Sequence, residues 1–304
     1  MGFVVTPDDR DWFDCCRRAW DLGSRLRHNL ERMAASERIP DQGLHDALAV
    51  YYFPGMWTWA RSVVEPLVER SLNDAGFAHS AFDFVRAYAR WAEAIDSFTP
   101  LRVETDIEVH IPDAAQNGAE LAGPDGGPVL YRDRVDLVVS EPTDGGDLQW
   151  LVDHRLVDLQ RGSWALPDQL ALDERAMLSC WAWEYAYLVP IAGVQFNEVC
   201  VAPPEFRRSR IAYSAAEKFG AAHRLGASVA AMLAAPTSAE PTPRWEHCAR
   251  CDFREPCITM NRGDDASALL AERYRPRAPD VLEPGRLGGQ SWGLGRGAAP
   301  PQFD

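Results

Sequence analysis

The sequence predicts an α/β protein: three strands, a helix and a fourth strand, with helical additions at both ends. Three observations carry this. Residues 102–111 alternate, with Val103, Thr105, Ile107 and Val109 set against Glu104, Asp106, Glu108 and His110, which is the period of a strand. Helical spacing stands on both sides of the strand region, over residues 7–35, 80–96, 170–188 and 213–234. Near the C-terminus, Cys248, Cys251 and Cys257 form C-x2-C-x5-C, a spacing that lets thiols share one metal centre.

Taken in order, residues 7–35 read as an amphipathic helix with Trp12, Phe13 and Trp20 interspersed with Arg17, Arg18, Arg25 and Arg27. Gly43, His45 and an aromatic run to Trp59 follow, then helical spacing to about Leu72 and over 80–96. After the strand at 102–111, a loop rich in Gly, Pro and Asn leads to a second strand at 129–139. The turn Pro142-Thr143-Asp144-Gly145-Gly146 delivers a third at 148–157, an antiparallel meander. Helical spacing returns at 170–188, a fourth strand occupies 191–202 and ends at Pro203-Pro204, and an Ala-rich helix spans 213–234. The segments group as 1–100 (helical), 101–212 (sheet core), 213–282 (helix and cysteines) and 283–304, a Gly/Pro-rich tail that looks flexible or wrapped over the surface.

The 304 residues are 46% hydrophobic with a formal net charge of −14, ample for one large core or two modest ones. No apolar run approaches the roughly 18 residues that span a bilayer, and no charged-then-apolar segment opens the chain. A soluble cytoplasmic protein with no membrane partner is the expectation. Seven cysteines, three of them clustered, suit a metal site in a reducing compartment better than a disulfide framework. The acidic balance argues mildly against a nucleic-acid coat but leaves room for a local basic groove, and carboxylates are what divalent cations need. Protein partners are not indicated.

Three thiols fall one ligand short, and no cysteine follows Cys257. The fourth ligand is sought in His247, Cys15, Cys16, Cys180 or Cys200; Cys15 or Cys16 would tie the two ends of the chain together. A structural zinc site of Cys248, Cys251, Cys257 and either His247 or Cys15 has the same spacing. Cys180 and Cys200 read as small buried hydrophobes.

On the strands, Asp136 leads into Leu137-Val138-Val139, and Asp153 and Arg155 point one way while His154 points the other. If the two strands are neighbours, Asp136 and Asp153 converge on one divalent cation, with His45 and Glu104 able to complete the site. Taken singly, each has a plainer role: a turn aspartate, a hydrogen-bonded core histidine, a polar strand face. The Trp181–Tyr185 segment could stack bases, but core packing explains its spacing better. Arg207, Arg208 and Arg210, with Arg17 and Arg18, could grip phosphates or be a solvated charge run.

The order Cys15-Cys16-Arg17-Arg18, Gly43-Leu44-His45, Glu104, Arg134-Val135-Asp136, Asp153-His154-Arg155 and C-x2-C-x5-C resembles the PD-(D/E)XK nucleases of the RecB/AddB type, which the CRISPR-associated and phage exonucleases also resemble. The match spans roughly residues 5–262, and its cysteine spacing, with Phe253 and Pro256, is the most specific part. The resemblance implies a restriction-endonuclease-like core with a mixed central sheet flanked by helices. It implies a [4Fe–4S] cluster on Cys15, Cys248, Cys251 and Cys257 that clasps the chain ends as a structural staple. It also implies Mg2+ or Mn2+ on His45, Asp136 and Asp153, with Glu104 as helper, and DNA with single-stranded or free ends as substrate. Arg17, Arg18, Arg207 and Arg208 are the candidate DNA contacts. Two departures stand out. Arg155 replaces the family's catalytic Lys, and Arg175 and Ser179 fall where a Gln-x3-Tyr motif is expected. An arginine stays charged, so it can orient and stabilise but not pass on a proton. Asp133 also fits the second-strand motif; Asp136 is preferred because it leads directly into the apolar run. A relative that binds DNA or protein without cutting is the competing expectation.

Overall fold

Sheet order places the acidic strands side by side. The computed structural model describes residues 3–33, 41–77, 81–160, 162–236 and 239–277. The N-terminal part contains β1 (Phe3–Val5), α1 (Pro7–Cys15), α2 (Arg17–Gly23), β2 (Leu30–Arg32), α3 (Asp41–Tyr51), a single 3-10 turn (Pro54–Met56), α4 (Arg61–Asp74) and α5 (Ala81–Ile95). The sheet region follows, with β3 (Thr99–His110), β4 (Val129–Glu141), β5 (Leu148–Leu156), α6 (Pro167–Ala171), α7 (Glu174–Tyr187), β6 (Gly193–Val201) and β7 (Pro204–Ala212). The chain closes with α8 (Ala215–Leu233), α9 (Trp245–Arg250), α10 (Arg254–Asn261), α11 (Ser267–Arg273) and β8 (Tyr274–Pro276).

The central sheet runs β1-β4-β5-β6-β7, and β3 also pairs with β4. It is mixed: β4–β5 and β6–β7 are antiparallel, β1–β4 and β5–β6 parallel. The parallel β5–β6 step needs a crossover, which α6 and α7 supply. A mixed sheet flanked by helices is the predicted architecture, consistent with a restriction-endonuclease-like core. β6 is buried at every position, as a strand covered on both faces should be. Among the described residues no helix is long and apolar enough to cross a membrane.

Two compact units emerge. One comprises the described residues within 1–38, 108–133 and 220–277, the other those within 41–107 and 134–219. In the second, α5 buries Ala81, Phe84, Val85, Tyr88, Ala89 and Ala92, an i, i+3, i+4 stripe. That stripe joins Leu44 and Leu48 of α3, Leu137 and Val139 of β4 and Val199 of β6 in one core. Gly43 lets α3 lie against α4, since a Cβ there would stand 2.2 Å from Ala75 Cβ. In the first unit, Cys16, Ala19, Leu22, Phe253 and Tyr274 form a small buried cluster.

Several expectations change. The helix expected over 7–35 is two helices broken at Cys16, whose extended backbone (φ −158°, ψ 113°) ends α1 and whose side chain enters that cluster. The second of them stops at Gly23, and β2 pairs with β8. Pro203-Pro204 turns the chain rather than ending the sheet, so β7 is an additional strand pairing along the whole of β6. Trp181 and Trp183 are core residues, as are Cys180 and Cys200. The Gly-rich tail lies outside the described residues.

Candidate metal centre

Three elements of the second unit each bring one ligand. His45 comes from α3, where Leu44, Ala47, Leu48 and Tyr51 are buried and fix which way the helix faces. Asp136 comes from β4, next to Leu137, which pairs with Val152 of β5, and β5 reaches it through the His154 main-chain N–H. Glu104 comes from β3 in the left-handed region at φ 42°, a conformation uncommon outside glycine that costs of order 1 kcal/mol or more. One potential ligand atom from each of the three lies within 4.8 Å of the others.

Asp136 Oδ1 is 3.3 Å from His45 Nδ1, and its Oδ2 accepts the His154 main-chain N–H at 2.7 Å. Burial alone would raise the Asp136 pKa, but the hydrogen bond and charge of His45, with the His154 main-chain N–H, outweigh it and hold the carboxylate below its ordinary value. Glu104 goes the other way. Burial pushes its pKa up to about 8, the Asp136 charge adds to this, and His45 and Arg134 oppose it. Its Oε1 is buried with no hydrogen-bond partner, while Oε2 stands 3.9 Å from Arg134. A buried oxygen without a donor, facing one imidazole and one ionised carboxylate, is a coordination set that suits a divalent cation. These residues fit such an ion.

Asp153 stands beside this group but is not one of the three. Its Oδ2 accepts from Arg155 Nε and Nη2 at 2.9 and 2.6 Å. Arg155 Nη2 also donates to Asp173 Oδ2 at 2.7 Å, while Asp173 Oδ1 caps α7 through the Ala176 N–H. Burial raises the Asp153 pKa, as do the charges of Asp136 and Asp173, against the pull of Arg155. The predicted facing holds: Asp153 and Arg155 share a side of β5, and His154 is buried on the other. Asp173 gave no sequence signal, because its role depends on a partner 18 residues away.

The candidate DNA contacts have internal partners. Arg207 is paired with Glu198 and the Ala165 carbonyl, and Arg208 with Asp96 and Asn197. Arg18 donates to Asn261 Oδ1 at 2.6 Å and to the Cys257 carbonyl at 3.4 Å. Arg17 is exposed and lies over the Phe13 ring at 3.6 Å.

All seven cysteines are free thiols. In the first unit Cys15 Sγ lies 2.9 Å from His247 Nδ1, so two of the five candidates for the fourth ligand meet at α9. Burial raises the Cys15 pKa, Cys16 and Cys248 add to it, and Arg244 opposes. Burial pushes Cys251 up to about 11, with Cys16, Cys257 and Cys248 adding. Among the described residues no three ligand atoms of this group come within 4.8 Å of one another.

No family model and no curated protein matches the chain. Solved structures give distant likenesses. SSO0001 is 12% identical with a TM-score of 0.33, over 70% of this chain and 90% of its own. A "Putative exonuclease" from Eubacterium rectale is 12% identical with a TM-score of 0.42, over 83% of this chain and 87% of its own. Likenesses of that size decide neither fold nor function.

Proposed function

We propose that the protein is a divalent-metal-dependent nuclease acting on DNA with single-stranded or free ends. The observation that carries this is the convergence of His45, Glu104 and Asp136, with the orphaned Glu104 Oε1, beside a second strand bearing Asp153. His45, Asp136 and Asp153 would hold Mg2+ or Mn2+, with Glu104 as the additional carboxylate. A cation held there supplies Lewis acidity toward a phosphodiester and acidifies a water. The His154 N–H fixes Asp136 by occupying Oδ2, which leaves Oδ1 toward His45. Burial works against the charge of Arg155, but Asp153 and Asp173 outweigh it and keep the guanidinium protonated. Arg155 therefore orients Asp153 and presents fixed positive charge to a phosphate; it does not transfer a proton.

The same reading gives Cys15, Cys248, Cys251 and Cys257 a structural [4Fe–4S] cluster. What supports it is the C-x2-C-x5-C spacing together with the place of Cys15, whose Sγ lies 2.9 Å from His247 Nδ1 at the start of that cysteine run. Anaerobic purification should give a brown protein with about four irons per chain, lost in Cys15→Ser. A colourless protein carrying one zinc would overturn this part.

Labelled single- and double-stranded DNA, incubated with Mn2+ or Mg2+, tests the activity. Degradation that stops with chelator and with Asp153→Ala is expected. No cleavage by a folded, cluster-loaded preparation would sink the enzymatic reading. One observation favours the second reading, a nuclease fold kept for binding: Arg155 is spent bridging Asp153 and Asp173. Arg155→Lys separates the two. An Arg-adapted enzyme should lose about tenfold or more, because a lysine cannot reproduce the fork; a gain of cleavage would mark a weakened relative.

A further inference from the structure

His154 belongs to no ligand set, yet only 3% of it is exposed. Its ring stacks on Tyr52 (centroids 5.8 Å apart, planes at 16°) and meets the His45 ring edge-on at 6.3 Å. Its Nδ1 lies 3.2 Å from Asn197 Nδ2. Which of the two carries the hydrogen follows from Arg208. A guanidinium can only donate, and Arg208 Nε reaches Asn197 Oδ1 at 2.6 Å while Nη1 reaches Asp96 Oδ1 at 2.6 Å. The amide oxygen of Asn197 therefore faces Arg208, and its NH2 faces Tyr88 Oη at 3.1 Å and His154. That NH2 has no acceptor capacity, so His154 Nδ1 must be the acceptor and the ring proton sits on Nε2. Asn197 is fully buried, and the Arg208 and Asp96 side chains are 8% and 3% exposed, so bulk water offers this chain no exchange of roles.

The peptide N–H of this same residue holds Asp136 Oδ2. Fixing the ring on one side of β5 fixes where that N–H points. We propose that Asn197 and Arg208 are positioning residues for the metal centre. Acting through His154 in its Nε2–H form, they hold Asp136 in the orientation it needs to share a cation with His45 and Glu104. The proposal rests on the metal-centre reading above. A merely structural network would affect folding stability and leave metal affinity alone. Second-sphere partners of metal ligands, by contrast, change affinity roughly 10–100-fold when removed.

Nitrogen-resolved NMR of the imidazoles and Mn2+ titration followed by the EPR signal of free Mn2+ test this on the full chain. Wild-type His154 should show a protonated Nε2 and a bare Nδ1. Asn197→Asp keeps the shape but removes the donor, so Nδ1 should gain a proton and Mn2+ affinity should fall about tenfold or more. Lys218→Met is the control. It breaks the buried Lys218–Glu184 pair (2.5 Å) elsewhere in the same unit, and should lower thermal stability without moving Mn2+ affinity by more than about twofold. Should Asn197→Asp not fold, wild-type His154 with its proton on Nδ1 already overturns the proposal. So does a folded Asn197→Asp that binds Mn2+ within about twofold of wild type. If wild type binds no Mn2+, or binds it equally well as Asp136→Asn, the metal-centre reading falls instead, and the NMR shows separately whether the tautomer is as assigned.

Discussion

Asp136 is the residue on which the site turns, because it touches every other component: His45 through Oδ1, His154 through Oδ2, and Glu104 and Asp153 through its charge. Asp136→Asn should weaken Mn2+ binding and metal-dependent cleavage by roughly 100-fold or more, measured by Mn2+ titration and by DNA degradation under the same conditions. Retained binding would move the site elsewhere. His45, Glu104 and Asp136, which the structure brings together, were candidates in the sequence through the order of the nuclease motifs they resemble; Asp153, drawn from the same order, stands beside them. The way Glu104 reaches the group was not legible there, since it depends on a left-handed backbone at a non-glycine residue. Asp173 and Asn197 were equally hidden, each a polar residue with polar neighbours whose meaning lies in an arginine elsewhere in the chain. Asp133, the other motif candidate, is buried on the same strand outside the triad.

At the scale of elements, α3 is the one whose placement is least forgiving. Gly43 faces Ala75 two residues before His45, and a methyl group there would lie 2.2 Å from the Ala75 Cβ. Gly43→Ala should therefore cost about 1–3 kcal/mol, read as a lower midpoint in denaturant, and weaken Mn2+ binding through displaced His45. A normal midpoint would mean that α4 gives way freely. The strand β7 was missed for a related physical reason. After Phe206, which packs against the core, the next residue on that face is Arg208, which the core accepts because Asp96 and Asn197 satisfy it, so no run of apolar alternation appears. The helices α9 to α11, at 6, 8 and 7 residues, are too short for periodicity to declare them. Another residue of β7, Arg210, pairs with Glu141 at the end of β4 and lies over Trp150 at 4.4 Å. Burial works against the Glu141 carboxylate, but Arg210 and Ser97 outweigh it and lower its pKa. A carboxylate depressed in the folded state stabilises above its unfolded pKa, and that contribution is lost as pH falls through the folded value. Glu141→Gln should thus be less stable than wild type at neutral pH and converge with it only in acid, as pH falls below the ordinary glutamate range. A gap that persists unchanged to pH 3 would assign the effect to packing instead.

For the whole molecule, the decisive quantity is how many positive charges remain free to meet a polyanion. The formal net charge is −14. Six arginines are committed internally, among them Arg207, Arg208 and Arg210, which the sequence offered to DNA: Arg132 to Glu108, Arg134 to Asp106, Arg155 to Asp153, Arg207 to Glu198, Arg208 to Asp96 and Arg210 to Glu141. An ion-paired guanidinium releases few counterions when a phosphate arrives, so each contributes little to the salt dependence of binding. The logarithm of affinity falls with the logarithm of salt by about 0.7 per phosphate neutralised on a single strand. If these six stay with their carboxylates and the strand meets about three other cations, the slope for a labelled single-stranded oligonucleotide should be about −2. Binding would then depend on the cation in the His45–Glu104–Asp136 group more than on surface charge, and chelation should weaken it by a larger factor than doubling the salt does. A slope steeper than about −4 would reveal a basic face that the ion pairs conceal, with these arginines exchanging carboxylates for phosphates on binding. The same titration repeated with Arg207→Gln would then show whether β7 supplies that face, since a participating arginine changes the slope by about one.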